Sequence, residues 1–303
     1  MRGLNRWAYL FILPFFVIFA IFTAYPIIST LITSFTNESM ATMSTKFVGL
    51  SNYYAEITSG LFWKSFGNTL AIWIPNIILQ MAIALLLAAW FTNSELKLKG
   101  KGVFRAIFFF PNIITVTTIA ILVYVLFDWQ HGVINQLVFG SGSAETAKYI
   151  NWFDRGWRIQ LIIGIIQTWM WFGYTMIMLM AGIQAMPVSM YEAATIDGAS
   201  GARIFFSIVL PYIRPILVYI IITSIIGGLQ MFDMPWVLFQ NQGGADQGAM
   251  TMSVYMYSRS FTWDQNLGAG SAVAWIMFGI IAMASFAYLK VAYGKEDRQE
   301  GVN

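Results

Sequence analysis

Long apolar runs alternate with polar links along this chain of 303 residues. Six of the runs reach the length of about 20 residues that an α-helix needs to cross a lipid bilayer. They lie at residues 7–35, 67–91, 105–127, 158–184, 207–230 and 267–289. The pattern therefore predicts an all-α membrane protein with six transmembrane helices. Since no tandem repeat is evident, we expect one transmembrane domain over residues 7–289, followed by a charged tail over residues 290–303.

The composition agrees with a membrane protein and excludes several kinds of site. The chain is 58% hydrophobic and only 10% charged, whereas a soluble domain carries about 25% charged residues. Zero cysteines exclude a disulfide framework and thiolate metal sites, and the single histidine, His131, cannot build a metal centre by itself. The basic residues are scattered, so we expect no nucleic-acid partner.

The distribution of basic residues predicts the orientation in the membrane, because cytoplasmic loops carry an excess of Lys and Arg. With the N-terminus in the cytoplasm, eleven of the 17 Lys and Arg residues lie inside and six lie outside. The inner set is Arg2, Arg6, Lys97, Lys99, Lys101, Arg105, Arg203, Arg214, Lys290, Lys295 and Arg298. We therefore expect both termini and the link between the fourth and fifth runs to be cytoplasmic.

That link carries the most patterned polar stretch of the chain. It predicts one short helix over residues 188–197, which ends at Gly198 because glycine tolerates a left-handed helix stop. It predicts a second helix over residues 201–209, capped by Ser200 and ending before Pro211. A solvated connector without a partner is the alternative interpretation of these signals.

The residues of this link, 188–211, resemble the EAA loop of ABC importer permeases. The matching residues are Glu192, Ala193, Ala194, Asp197, Gly198, Leu210 and Pro211. The resemblance implies that the loop docks into a cleft of an ATP-hydrolysing subunit. Two small alanines would let a helix approach another protein closely, and two acids would offer charge to basic groups. We also expect Glu192 to lie near its helix N-terminus, where the helix dipole favours a carboxylate.

Polar residues inside the apolar runs are candidates for a substrate pathway. Gln167, Trp171 and Tyr174 recur at helical spacing on one face of the fourth run. An amide beside aromatic rings suits a sugar, because hydroxyls need fixed hydrogen-bond partners and ring CH groups pack on aromatic faces. An interfacial aromatic belt is the alternative. Gln230 and Asp233 are three residues apart and predict one polar helical face toward a wet cavity or a partner.

The third run carries a proline and a row of threonines. Pro111 and Asn112 precede Thr115, Thr117 and Thr118. This order is typical of a helix that lines a cavity. Threonines that bond their own backbone are the alternative explanation, and the sequence leaves both open.

Residues 13–289 resemble the permease subunits of bacterial carbohydrate ABC importers, most of all the larger permease of the maltose transporter. Besides the loop, residues 180–187 and 241–245 carry the resemblance. It implies a type I ABC importer permease fold with six transmembrane helices and cytoplasmic EAA coupling helices, in a bacterial cell membrane. The implied partners are a second six-helix permease, two ATPase subunits that bind ATP and Mg²⁺, an extracytoplasmic solute-binding lipoprotein and a carbohydrate.

The same resemblance implies nine positions that contact sugar midway through the membrane. They are Asn112, Val116, Gln167, Met170, Trp171, Tyr174, Leu229, Gln230 and Asp233. None of the nine is basic, which favours a neutral oligosaccharide over glycerol phosphate. The resemblance implies no cofactor in this chain.

The sequence argues against an enzyme. It contains no Gly-x-x-x-x-Gly-Lys-Ser/Thr phosphate loop and no constellation of a nucleophile with a base. The alternative from a different class is an ion-coupled secondary carrier, which should show intramembrane charges and internal repeats. Asp233 is the one candidate for such a charge, so we expect the importer permease instead.

Overall fold

The computed structural model describes residues 4–40, 45–92, 100–140 and 148–294. Lys97, Lys99 and most of the predicted tail lie outside these ranges. The α-helices are α1 (Leu4–Phe19), α2 (Tyr25–Ser34), α3 (Ser51–Thr58), α4 (Gly60–Thr92), α5 (Lys101–Ile113), α6 (Val116–Leu126), α7 (Val133–Phe139), α8 (Gly156–Gln184), α9 (Val188–Ile196), α10 (Gly201–Ile204), α11 (Leu210–Tyr212), α12 (Arg214–Leu229), α13 (Asp233–Phe239), α14 (Met252–Tyr257) and α15 (Leu267–Tyr293). Helix α15 therefore includes the first four residues that we predicted as tail.

Five helices are long and apolar enough to cross a membrane, which confirms five of the six predicted spans. They are Trp7–Ser34, Gly60–Thr92, Gly156–Gln184, Arg214–Phe239 and Leu267–Tyr293. The fifth begins later than predicted, at Arg214, because the preceding residues form a separate short apolar segment, Gly201–Tyr212, that ends at a break at Ile213. A π-helical turn, Ala20–Ala24, joins α1 to α2 within the first span.

The third predicted span, residues 105–127, is a bent pair rather than one helix. Helices α5 and α6 meet at an angle of 89°. The break falls at Ile114 and Thr115, which both adopt extended backbone, and the Thr115 side chain accepts a hydrogen bond from the Thr118 amide. The two threonine hydroxyls also lie 2.8 Å apart. Thr115 therefore caps α6. The alternative explanation, in which threonines bond to their own backbone rather than line a cavity, accounts for Thr115 and Thr118.

The chain forms two compact units. The first comprises the described residues of Met1–Trp63 and Tyr255–Ile280. Its buried centre holds the carboxylate of Glu56, which is 1% exposed and pairs with Arg259 at 2.8 Å. The Tyr255 hydroxyl donates a hydrogen bond to Glu56 Oε2 at 2.5 Å. This pairing joins α3 to the end of α14 and satisfies a charge that would otherwise be costly to bury.

The second unit comprises Lys64–Val254 and the described residues of Ile281–Asn303. Helices α5 and α8 cross closely at Gly173, where a Cβ would lie 1.9 Å from the Phe108 carbonyl oxygen. A second close approach is at Gly228, where a Cβ would lie 2.0 Å from Trp73 Cδ1. Small residues permit such helix contacts in membranes.

Three polar pairs join α4 to α8 within this unit. Gln160 donates to Asn68 at 2.9 Å, Asn76 to Thr168 at 3.1 Å, and Gln80 to Thr175 at 2.7 Å. Amides and hydroxyls inside a bilayer need protein partners because no water is available. The pairs therefore fix the register of the two longest helices.

Candidate functional site

The link between α8 and α12 folds into two short helical segments that meet at Gly198. Helix α9 ends at Ile196, and Gly198 follows with a φ of +74°. The Ser200 hydroxyl accepts a hydrogen bond from the Arg203 amide at 3.4 Å and caps α10. Both local predictions, the left-handed stop and the serine cap, are confirmed.

Two other predictions for this link are wrong. The second segment continues past Pro211 to Tyr212, because a π-helical turn, Phe205–Val209, precedes the proline. A π turn bonds residues five apart and so reorganises the backbone just before the ring, which occupies the start of α11. Helix α9 begins at Val188 as predicted, but Glu192 lies in its second turn, and the first turn, where the helix dipole acts most strongly, holds no acidic residue. The dipole therefore does not explain this carboxylate.

The loop has a small apolar base of its own. Ala194, Ile204 and Val209 are buried together between the two segments. The Tyr212 hydroxyl donates to the Ala185 carbonyl at 3.0 Å, which ties the end of the loop to the end of α8. Ala194 thus stabilises the loop itself rather than facing outward.

The remaining loop residues present a mixed apolar and acidic surface. Glu192, Ala193, Asp197, Gly198 and Pro211 are exposed, and Leu210 is half-buried. The loop also exposes two large apolar side chains that the sequence reasoning missed: Ile196 is 86% exposed and Phe206 is 65% exposed. Exposed apolar side chains beside charges are available for contact with a partner protein or with lipid.

The structure brings several predicted pathway residues together around α8. Asn112 Nδ2 donates to the Met170 carbonyl oxygen at 3.4 Å. Val116 packs against the buried cluster that contains Met170. The rings of Trp171 and Tyr174 are exposed and meet edge to face at 6.0 Å.

Gln167 has an unusual environment among these residues. Its Oε1 atom is buried and makes no hydrogen bond to any of the described residues. Buried polar atoms in native proteins are almost always bonded to protein or to ordered water, so this acceptor is available to a water or a ligand. A hydroxyl donor would satisfy it.

Gln230 and Asp233 do not share a helical face, so that prediction is wrong. Helix α12 ends at Leu229, Gln230 is its cap, and Asp233 begins α13. The proline at position 235 lacks an amide hydrogen and is suited to the first turn of a new helix rather than the middle of a continuous one. Leu229 is buried, whereas Gln230 and Asp233 are exposed. Within the described ranges, no hydrogen bond links those two to the other predicted positions.

The described part of the chain holds no group of three or more His, Cys, Asp or Glu side chains that could bind a metal ion. The site residues are amides, hydroxyls, aromatic rings and isolated acids. Their chemistry is that of recognition by hydrogen bonds and apolar contact.

The chain matches known transport proteins in sequence and fold. A family model described as binding-protein-dependent transport system inner membrane component matches residues 81–293. The chain is 33% identical to the arabinooligosaccharides transport system permease protein AraP of Bacillus subtilis, covering 94% of this chain and 88% of that protein. It is 30% identical to the lactose transport system permease protein LacF of Rhizobium radiobacter, with 93% and 92% covered.

A solved structure shares the fold. The structure of a bacterial ABC transporter involved in the import of the acidic polysaccharide alginate matches with a TM-score of 0.77. The match covers 97% of this chain and 96% of that chain at 20% sequence identity. At this level of identity the likeness is one of fold alone.

Proposed function

This chain belongs to the family of binding-protein-dependent transport system inner membrane components, and from that premise we propose that it is the permease subunit of an ABC importer for a neutral oligosaccharide. The observation that carries the proposal is the loop of residues 188–211. It combines a packed base with exposed apolar side chains at Ile196 and Phe206. The acids Glu192 and Asp197 lie on the same short segment as Ile196.

The loop is the proposed docking element for the ATPase subunits. A partner that covers exposed apolar side chains stabilises the complex by about 25 cal/mol per Å² of apolar surface buried. Glu192 and Asp197 supply charge to basic groups of that partner. Closure and opening of the two ATPases would then move the loop. Because the loop joins the end of α8 to the start of α12, its movement would shift these two helices and expose the pathway alternately to each side of the membrane.

The proposed partners complete the importer. A second six-helix permease supplies the other half of the pathway, and two ATPase subunits bind ATP and Mg²⁺. An extracytoplasmic solute-binding protein delivers the substrate. A related crystal structure of the alginate transporter is described as a complex with a periplasmic protein bound to an alginate pentasaccharide. We propose no catalysis by this chain itself.

The proposed substrate is a neutral oligosaccharide. None of the nine pathway positions is basic, and two relatives are named as permeases for arabinooligosaccharides and lactose. The orphaned Gln167 Oε1 can accept a sugar hydroxyl, and the Trp171 and Tyr174 rings can pack on the sugar's CH groups. Glycerol phosphate would need a cation at these positions.

A charge reversal in the loop tests the proposal. In the reconstituted transporter, Glu192→Lys should reduce copurification of the ATPase subunits and ATP-driven uptake together, because it repels basic groups of the partner. Gly198→Val should do the same, since a β-branched residue does not tolerate a φ of +74°. Asp154→Lys, which makes the same charge change at a site outside the loop, serves as the matched control.

Normal uptake and normal recovery of the complex in both loop variants would contradict docking at this loop. Uptake by the purified chain without any ATPase would instead favour the secondary carrier.

The absence of cysteine from the chain permits a direct test of the proposed orientation. With both termini in the cytoplasm, Ile196→Cys should resist a membrane-impermeant maleimide in intact cells, whereas His131→Cys should react. Both positions are strongly exposed, with side-chain accessibility of 87% at His131 and relative exposure of 86% at Ile196. Labelling of the cysteine at position 196 from outside would contradict the orientation and the docking proposal together.

A further inference from the structure

A cavity of about 470 Å³ lies between the loop that follows α6 and the loop that follows α13. Both loops belong to the second compact unit. None of the nine predicted pathway positions lines the cavity. Its volume falls in the range of roughly 300–1,000 Å³ that is typical of small-molecule sites.

Aromatic rings form one wall of this cavity. Tyr124 and Phe153 stack with an interplanar angle of 10° and a centroid distance of 6.0 Å. Phe239 meets Phe153 edge to face at 5.3 Å. Trp129 also lines the cavity and is 47% exposed. Such rings offer flat apolar faces to the CH groups of a sugar.

The polar part of the lining consists of a carboxylate and amides, with no Lys, Arg or His among the described residues that line the cavity. The carboxylate is Asp128, and the amides are Asn151, Gln240 and Gln242. This donor and acceptor set suits the hydroxyls of a neutral ligand. It lacks the cations that a uronic acid or a phosphate would need.

Two of these polar side chains are held in place by the backbone. Asp128 Oδ1 accepts hydrogen bonds from the amides of Gln130 and His131 at 3.1 and 2.7 Å. Asn151 Oδ1 accepts one from the Phe153 amide at 3.1 Å. Among the described residues, Asp128 Oδ2 and Asn151 Nδ2 make no further hydrogen bond. One acceptor and one donor are therefore fixed and remain available to a ligand.

The loop after α13 is held in a costly backbone conformation at the cavity. Gln240, a lining residue, has φ 49° and ψ −141°, a region that glycine occupies far more readily than glutamine. Contacts elsewhere keep the loop in place: Asn68 Nδ2 donates to the Gln247 carbonyl at 2.7 Å, and Asp246 Oδ2 accepts from the Gly156 amide at 3.1 Å. Strain that the surroundings maintain at a pocket residue is typical of a functional site.

We infer that this cavity binds one sugar unit of the transported neutral oligosaccharide, at a site separate from the predicted mid-membrane positions. The inference rests on the proposed function. In the proposed orientation the cavity opens on the outer side, where substrate arrives from the solute-binding protein. It would hold one end of the saccharide before the chain enters the pathway.

Saturation-transfer NMR on the purified full-length chain in nanodiscs tests the inference. The probes are arabinotriose, lactose and raffinose, with a digalacturonate as the charged comparison. At least one neutral probe should receive saturation, and the digalacturonate should not. Trp129→Ala should weaken that binding about three- to tenfold, the loss expected for one aromatic contact.

Gln242→Ala is the second variant, because it truncates an exposed loop side chain and leaves the aromatic wall intact. It should also weaken binding. Trp157→Ala is the matched control, since Trp157 is a similarly exposed tryptophan outside the cavity. Equal saturation transfer in the wild type and all three variants would overturn the inference.

ATP-driven uptake by the complete transporter in proteoliposomes separates this inference from the proposed function. If the wild type takes up none of the neutral probes, the proposed function and the inference fail together. If the wild type transports a probe and both cavity variants bind it normally, only the inference fails. Weaker docking of the solute-binding protein with unchanged saccharide binding would likewise overturn it, because the cavity would then receive a protein side chain.

Discussion

Replacing the buried carboxylate of Glu56 should destabilise the first compact unit strongly. Glu56 is 1% exposed. Its Oε1 atom accepts hydrogen bonds from Arg259 Nε at 3.1 Å and Nη2 at 2.8 Å, and its Oε2 atom accepts one from the Tyr255 hydroxyl. Glu56→Gln keeps the shape of the side chain, removes its charge and turns one of the two acceptor oxygens into a donor NH₂ group. The neutral amide then leaves Arg259 without its buried counter-ion.

The size of the effect follows from this arrangement. Removing one partner of a buried ion pair costs about 3–5 kcal/mol, because the other charge stays buried and uncompensated. Arg259 is 25% exposed and also contacts Asp264, so part of its charge remains compensated. We therefore expect Glu56→Gln to lower the free energy of unfolding by about 3 kcal/mol, the lower end of that range.

Unfolding by SDS in mixed micelles, followed by circular dichroism, measures this change. Asp154→Asn is the matched control: it removes a carboxylate from an arginine pair of the same 2.8 Å length, but Asp154 is 39% exposed. An exposed pair contributes about 0–1 kcal/mol, so the control should change little. Equal effects of the two substitutions, or a Glu56 effect below about 1 kcal/mol, would refute the reasoning from burial.

Three further predictions concern stability. Burial, followed by the hydrogen bond to Glu56, raises the pKa of Tyr255 to about 12. The neutral Tyr255 side chain contributes its full stabilisation below pH 10, and the free energy of unfolding should fall by about 2–3 kcal/mol as the pH rises toward 12. If a Tyr255→Phe variant shows the same fall in pH-dependent unfolding, Tyr255 is not its source. Gly173→Ala should destabilise by about 1–3 kcal/mol through its clash with a carbonyl, whereas Gly279→Ala, with open space around it, should not; equal melting temperatures would refute this. Ser200→Ala should cost about 1 kcal/mol by loss of the helix cap, measured by the same unfolding titration, and no change would argue against the cap.

Hydropathy predicted the long helices well because crossing a bilayer requires a long apolar run whatever the tertiary structure. It did not reveal the break within residues 105–127, because a bend of 89° does not interrupt apolar composition; the two helices together still pass as a sixth span. The signal for the bend was present in Pro111 and Thr115, since a proline followed by a cap residue can end one helix and start another. The sequence could not decide between that interpretation and a continuous helix.

The polar pairs between α4 and α8 could not be predicted from one sequence. Asn76 and Gln80 look like isolated amides in an apolar run, and their partners lie more than 90 residues away. Pairing requires the register of two packed helices, which no local pattern contains. The same limit applies to Glu56, whose partner Arg259 is 203 residues distant.

Local and tertiary signals separate most clearly in the loop of residues 188–211. Gly198 and Ser200 were predicted correctly, because a left-handed stop and a cap depend on neighbouring residues alone. The two adjacent alanines could not be told apart by sequence, yet one is exposed and Ala194 is buried against Ile204. That packing also decides which apolar side chains remain outside. Ile196 is exposed because Ala194 occupies the inner face of α9, so the docking surface that we propose is a consequence of how the loop packs on itself.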